Sequence, residues 1–162
     1  MLTKSVLVEK DFGILREGKA ELGFSISTLS DGIARVLEPG ASLPSERLKA
    51  AARASRKGLG VFIFAGPLLP VLCDTPFNIE NIIRAASDAG ANKLMFDRLN
   101  LRNGVKEVLL DRISAAYPEL YPAYAALLGS RNKMRGYEEN LKRLIISILK
   151  KRKTGCAVEI LF

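Results

Sequence analysis

The sequence predicts an α/β fold: an open parallel sheet of about four strands with flanking helices, followed by a helical C-terminal extension. Three observations lead there. Strand-like apolar runs alternate with helix-period segments through the middle of the chain. The run Gly60-Val61-Phe62-Ile63-Phe64-Ala65 is apolar almost throughout, as in a strand buried on both faces. Two helix starts carry Pro at the first position, where its missing N–H costs nothing. Alternating β and α units imply parallel strands joined by right-handed crossovers.

In chain order, residues 21–27 read as the first clear strand. Pro44 with Glu46 opens a helix that runs through an Ala-rich stretch to Gly58, a suitable C′ residue. The strand at residues 60–65 is broken by Gly66-Pro67-Leu68-Leu69-Pro70. Thr75 caps the next helix, Pro76 takes its first position, and Ile79, Ile82, Ile83 and Ala86 line one face before Gly90 stops it. Residues 93–97 form another strand. Three helices are then expected, at residues 105–116, about 122–128 and 137–151, and a last short strand at residues 156–162. The expected division is 1–104 for the β/α part and 105–162 for the helical extension packed on it. In parallel sheets ligands sit beyond the C-terminal strand ends. A closed eight-fold barrel needs about 250 residues, so the chain is a small open sheet or part of a larger barrel.

Composition sets outer bounds. The chain has 162 residues, 48% hydrophobic and 26% charged, which suits one globular domain and excludes disorder for most of its length. No apolar stretch approaches the ~20 residues of a membrane span, so no membrane partner is expected. Residues 1–5 lack the apolar region of a signal peptide. Cys73 and Cys156 are too few for a disulfide framework, and reduced thiols in a cytoplasmic protein are expected. There is no histidine, which removes Ser-His-Asp triads, Cys-His dyads and His-based metal sites.

The net charge of +8 comes from 25 Lys+Arg against 17 Asp+Glu and is concentrated near the C-terminal end. Residues 131–153 hold nine basic side chains and two acidic ones, a net of +7, so the other residues supply +1. Tyr137, Leu141, Leu144, Ile145, Ile148 and Leu149 fall on one helix face, leaving a basic outer face that ends in Lys150-Lys151-Arg152-Lys153. The helix at 137–153 is therefore either a nucleic-acid contact or a solvated helix whose terminal cations complement its dipole.

An ordered set of short motifs, from residue 2 to about residue 105, resembles the radical S-adenosylmethionine (radical SAM) enzymes, in the branch of DNA repair photolyase and spore photoproduct lyase. It comprises Thr3-Lys4-Ser5, Asp11 with Leu15, Gly23-Phe24-Ser25-Ile26-Ser27-Thr28-Leu29, Val36-Leu37-Glu38-Pro39-Gly40 and Glu46-Arg47-Leu48. It continues through Gly66-Pro67-Leu68-Leu69-Pro70, Asp74-Thr75-Pro76, Asn78-Ile79-Glu80 and Phe96-Asp97-Arg98-Leu99-Asn100-Leu101-Arg102. The resemblance implies a partial (β/α) barrel that binds SAM at its strand C-termini beside a [4Fe-4S] cluster. That cluster is held in the family by Cys-x3-Cys-x2-Cys, which this chain lacks. Two distant cysteines cannot replace it. The resemblance thus implies the C-terminal, SAM- and substrate-side part of such an enzyme, inactive alone. The implied partner is a missing N-terminal half from an upstream reading frame.

On the same resemblance, Lys4 faces the SAM carboxylate, the Ser25 and Ser27 hydroxyls meet its amino or ribose groups, and Glu38 with Arg47 binds its zwitterionic end. Each position has a plainer reading. Lys4 is a surface lysine, the serines satisfy neighbouring backbone, and Glu38 and Arg47 pair with each other across the Pro39-Gly40 turn. Asp97 and Asn100 are placed to meet substrate, or to cap a loop and make an Asx turn. Tyr117, Tyr121 and Tyr124 are a base-stacking platform or core residues at a kinked helix start. No residue is assigned a catalytic role, and no metal ligand is expected within the chain.

Overall fold

Five parallel strands form one sheet in the computed structural model, which describes residues 1–102, 104–152 and 154–162. They are β1 (Leu2–Thr3), β2 (Glu21–Ser25), β3 (Gly60–Ala65), β4 (Lys93–Phe96) and β5 (Ala157–Ile160). Their spatial order is β1-β2-β3-β4-β5, so neighbours in sequence are neighbours in space. One row of the register runs Phe24, Ile63, Leu94, Val158, and the next Ser25, Phe64, Met95, Glu159. A sheet in this order has no switch point, and right-handed crossovers place its connecting helices on a single side. The fold is an α/β partial barrel left open at β1 and β5. It has one strand more than expected, because β1 is too short to register as a hydrophobic pattern.

The helices are α1 (Phe12–Glu17), α2 (Asp31–Leu37), α3 (Pro44–Arg56), α4 (Pro76–Asp88), α5 (Val105–Ala116), α6 (Tyr121–Leu128) and α7 (Arg131–Lys151), with 3-10 turns at Val6–Asp11 and Pro118–Leu120. The expected starts are present. Glu46 Oε2 accepts from Leu43 N at 2.8 Å and Thr75 Oγ1 from Asn78 N at 3.1 Å. Gly90, at φ +69°, follows α4 in the left-handed conformation that glycine adopts without strain. The sequence reading passed over α1 and α2 and began α7 six residues late. Ser30 and Ser130 cap α2 and α7 through their hydroxyls.

α3 packs on β2 and β3, α4 on β3 and β4, and α7 on α4. The core lies between these helices and one face of the sheet. On the other face the burial expected for residues 60–65 is not reached. Val61, Ile63 and Ala65 are buried, whereas Phe62 and Phe64 are half-buried. Gly23 makes room there, since a Cβ on it would lie 2.1 Å from the Phe62 ring. Residues 105–162 carry the expected helices and, within 156–162, the expected last strand, β5. They return β5 to the sheet beside β4. Among the described residues no helix is long and apolar enough to cross a membrane.

Candidate functional site

The segments leaving β1, β2, β3 and β4 meet around a cleft of about 350 Å³ at the C-terminal rim. Lys4, Ser27, Glu38 and Arg112 supply its polar lining, and Pro67, Leu69, Leu99, Val105 and Val108 its apolar walls. That volume lies in the usual range for small-molecule sites, as does an apolar lining with a few polar groups.

Lys4 follows β1 directly. Its carbonyl accepts from Ser42 N at 3.1 Å, and Ser42 Oγ accepts from Val6 N at 3.0 Å, which ties the β1 exit to the loop before α3. Lys4 Nζ then donates to Glu38 Oε1 at 2.6 Å. Glu38 Oε2 takes the guanidinium of Arg47. Arg47 is 1% exposed and also donates to the carbonyls of Ser42 and Ser25, each at 2.6 Å. Each nitrogen of this buried cation therefore has an acceptor, the condition for tolerating a charge in the core. Burial pushes the Glu38 carboxyl up, but hydrogen bonds and positive charge from Lys4 and Arg47 outweigh it and hold the group below its ordinary value.

Asn78, in the first turn of α4, fixes the β2 exit. Its side-chain amide donates to the carbonyls of Ser27 at 3.0 Å and Cys73 at 2.6 Å, and its Oδ1 accepts from Leu29 N at 3.2 Å. Tyr124 O–H donates to the Pro70 carbonyl at 2.6 Å and anchors the β3 exit to α6. At 2% exposure Tyr124 is a core residue and offers no face to a base, whereas Tyr121 is 40% exposed.

Five residues were expected around a cofactor, and three line the cleft: Lys4, Ser27 and Glu38. Ser25 and Arg47 stand behind it. Ser25 is 3% exposed and its hydroxyl donates to the Gly66 carbonyl at 3.2 Å, so its one donor is used between the sheet exits. Asp97 Oδ1 accepts from Arg98 N at 2.8 Å, a local loop contact. Asn100 opens instead onto a second cleft of about 570 Å³, lined by Arg98, Leu99, Arg131, Arg135 and Glu138. Leu99 lines both clefts. Arg112, Asn78 and the second cleft's arginines were missed. For Arg112 a signal existed: it lies four and seven residues after Val108 and Val105, on one helix face.

Lys142 donates to the Phe162 carbonyl and Arg152 pairs with Glu80, while Lys150 and Lys151 are exposed. Lys153 lies outside the described residues.

A cubane cluster does not fit the residues present. Among the described residues no group of three or more His, Cys, Asp and Glu is placed to hold a metal. Cys73 is fully buried, with its thiol pushed up to about 12 by burial, and Cys156 stands at the opposite rim, just before β5.

The fold and cleft define a class: a partial (β/α) barrel with a small-molecule-sized site where its strands end. Among solved structures the chain resembles spore photoproduct lyase complexed with dinucleoside spore photoproduct, with a TM-score of 0.63 and 15% identity over 99% of this chain and 49% of that one. At that identity the likeness is one of fold. In sequence it is 34% identical to an uncharacterized protein of Acidianus two-tailed virus over 105 residues, which is 62% of this chain and 35% of that protein. It is 26% identical over 131 residues to an uncharacterized protein of Mycobacterium tuberculosis (strain ATCC 25618 / H37Rv), covering 78% of this chain and 38% of that protein. No family model matches the chain. The chain spans under two fifths of these curated relatives and about half of the lyase.

Proposed function

We propose that this chain is the S-adenosylmethionine- and substrate-side part of a radical SAM-type barrel, with residues 1–104 as barrel wall and 105–162 as the extension packed on it. The Lys4–Ser27–Glu38 cleft at the ends of parallel strands carries the reading, supported by the fold likeness to spore photoproduct lyase over nearly the whole chain. Lys4 and Glu38 form a charge pair open to the cleft, and such a pair can exchange partners with an amino acid zwitterion. The ammonium of Lys4 takes the carboxylate of SAM, and the Glu38 carboxylate takes its amino group. The Ser27 hydroxyl offers a further donor and acceptor, and Leu69, Leu99 and Val108 accept the apolar faces of the nucleoside. Arg47 and Asn78 act behind the site by holding Glu38 and the Ser27 backbone. Ser25 acts with them through its carbonyl.

When bound beside a reduced iron–sulfur cluster, SAM supplies this family's radical chemistry. This chain's residues do not fit the cluster, and no step is assigned to it. On this reading the cluster's thiolates come from a separate segment or chain.

Calorimetric titration of the chain with SAM tests the site. Saturable binding is expected, weakened at least ten-fold by Glu38→Gln and several-fold by Lys4→Ala, with adenosine less affected than SAM. Wild-type chain that gives no heat with SAM sinks the reading.

A further inference from the structure

The second cleft shares its Leu99 wall with the candidate SAM site but has a different character. Three guanidinium groups line it, from Arg98 in the β4 exit and from Arg131 and Arg135 in the first turns of α7. Glu138 is the one carboxylate in that lining, so the wall carries a net +2. Glu138 is mostly buried, at 17% exposure, and pairs with Arg98, which fixes that fork in the cleft wall. Arg135 meets Glu139 at 3.2 Å, but at 82% exposure such a pair is weakly held and readily exchanged. Among the described residues Arg131 is in no ion pair. Asn100 adds an amide to the lining.

Like charges brought together around a concavity repel one another unless an anion neutralises them. Arginines lining one cleft from two elements suit the oxygens of a phosphate, which the planar guanidinium fork binds bidentately. An ordinary solvated helix face spreads its cations outward and needs no cavity between them. All three arginines are solvent-exposed, as are Lys150 and Lys151, the other basic cluster of α7; what sets the arginines apart is the cleft they line together, which neither lysine lines. The lysine pair lies at the opposite end of a 21-residue helix, about 30 Å from Arg131.

We propose that Arg98, Arg131 and Arg135 form a phosphate-binding site, and that the phosphate belongs to the substrate presented to the neighbouring cleft. The second half of that statement rests on the SAM-side reading above. The phosphate is either a diester within an oligonucleotide or a monoester on a small molecule, and the two are separated by experiment.

The full chain is titrated with a fluorescein-labelled ten-thymidine oligonucleotide, followed by anisotropy, and with thymidine 5′-monophosphate by calorimetry, at low and at raised salt. Two double variants remove the same charge, Arg131→Ala with Arg135→Ala and Lys150→Ala with Lys151→Ala. The arginine pair is expected to weaken binding at least ten-fold and to flatten the salt dependence, while the lysine pair changes affinity less than two-fold. Oligonucleotide binding far tighter than the monophosphate assigns a diester, and comparable binding assigns a monoester. An equal or larger loss from the lysine pair overturns the site, as does failure of both ligands to bind wild-type chain at low salt. SAM titration keeps the two readings apart. Absence of SAM binding with retained, arginine-dependent phosphate binding sinks the cofactor reading and the link to the neighbouring cleft, and leaves the phosphate site standing.

Discussion

The two faces of the sheet are unequally covered. On the helix side Leu22, Phe24, Ile26, Val61, Ile63, Ala65, Leu94 and Phe96 are each at most 1% exposed. On the other side Phe62, Phe64 and Met95 are half-buried and Leu2 is 49% exposed. The residues on the two sides of β3 are about equally apolar. Hydrophobicity therefore marks both faces for contact, and the described helices supply it on one. In a (β/α) barrel the second face lines the lumen, where substrate, cofactor or the remaining strands meet it. The open face is the one the described helices leave uncovered, opposite the side that holds the fold together.

The largest effect expected from this difference is a disparity in stability between phenylalanines in adjacent strands. Phe24→Ala removes a fully buried ring packed under α3 and is expected to cost about 3–5 kcal/mol. Phe64→Ala, on the open face, is expected to cost about 1 kcal/mol. Urea denaturation of the two variants measures both. Equal costs would show that the inner face is already packed as core in this chain, and the comparison would fail.

This contrast also explains what was legible in the sequence. Burial on the helix side leaves periodic traces, so residues 60–65, the Thr75-Pro76 start and the apolar face of α4 were readable. Contacts at the rim leave none. Lys4 and Glu38 are 34 residues apart and meet through Ser42, whose backbone and hydroxyl hold the β1 exit. Arg47 reads as a surface cation by composition, yet it is the largest buried side chain, because three acceptors from three segments surround it. Short elements escaped for the same reason. α2 has seven residues, and the first turns of α7, Arg-Asn-Lys-Met-Arg-Gly, bury Met134 alone. The ordered motifs group Lys4, Ser25, Ser27, Glu38 and Arg47, of which Lys4, Ser27 and Glu38 line one cleft. What they could not tell was which polar groups face the cleft and which are consumed behind it.

The next largest effect separates those two kinds of residue within one ion network. Arg47→Ala leaves Glu38 and the carbonyls of Ser25 and Ser42 without their donor in a buried setting, and is expected to cost about 3–5 kcal/mol. Lys4→Ala removes the other partner of the same carboxylate, but its side chain is 42% exposed, and the expected cost is about 0–1 kcal/mol. Thermal or chemical unfolding of both variants checks this. If Lys4→Ala were the more damaging, Lys4 would be a structural anchor and its assignment to the cleft would have to be withdrawn.

The smallest effect sharpens the comparison by sign. Two carboxyls at the rim are shifted in opposite directions. Glu38 is held below its usual 4.5, because Lys4 and Arg47 outweigh the upward push of burial. Asp74 is raised above its usual 3.8 by burial, which the hydrogen bonds from Tyr137 and nearby backbone amides only partly offset. Below its unfolded value Glu38 takes up a proton more readily in the unfolded chain than in the folded one. Its contribution is therefore complete above about pH 4.5 and is lost as pH falls through the lower folded value. For Asp74 the folded chain binds the proton more readily, so acidification through its raised value relieves a destabilisation and the slope is opposite. Glu38→Gln should flatten the acid loss of stability, and Asp74→Asn should steepen it. Urea midpoints measured between pH 3 and pH 7 for the three proteins give both signs at once. A Glu38→Gln variant that loses stability on acidification as steeply as the wild type would mean that Lys4 and Arg47 do not hold this carboxylate in solution, and the charge pair offered to a zwitterion would be gone with it.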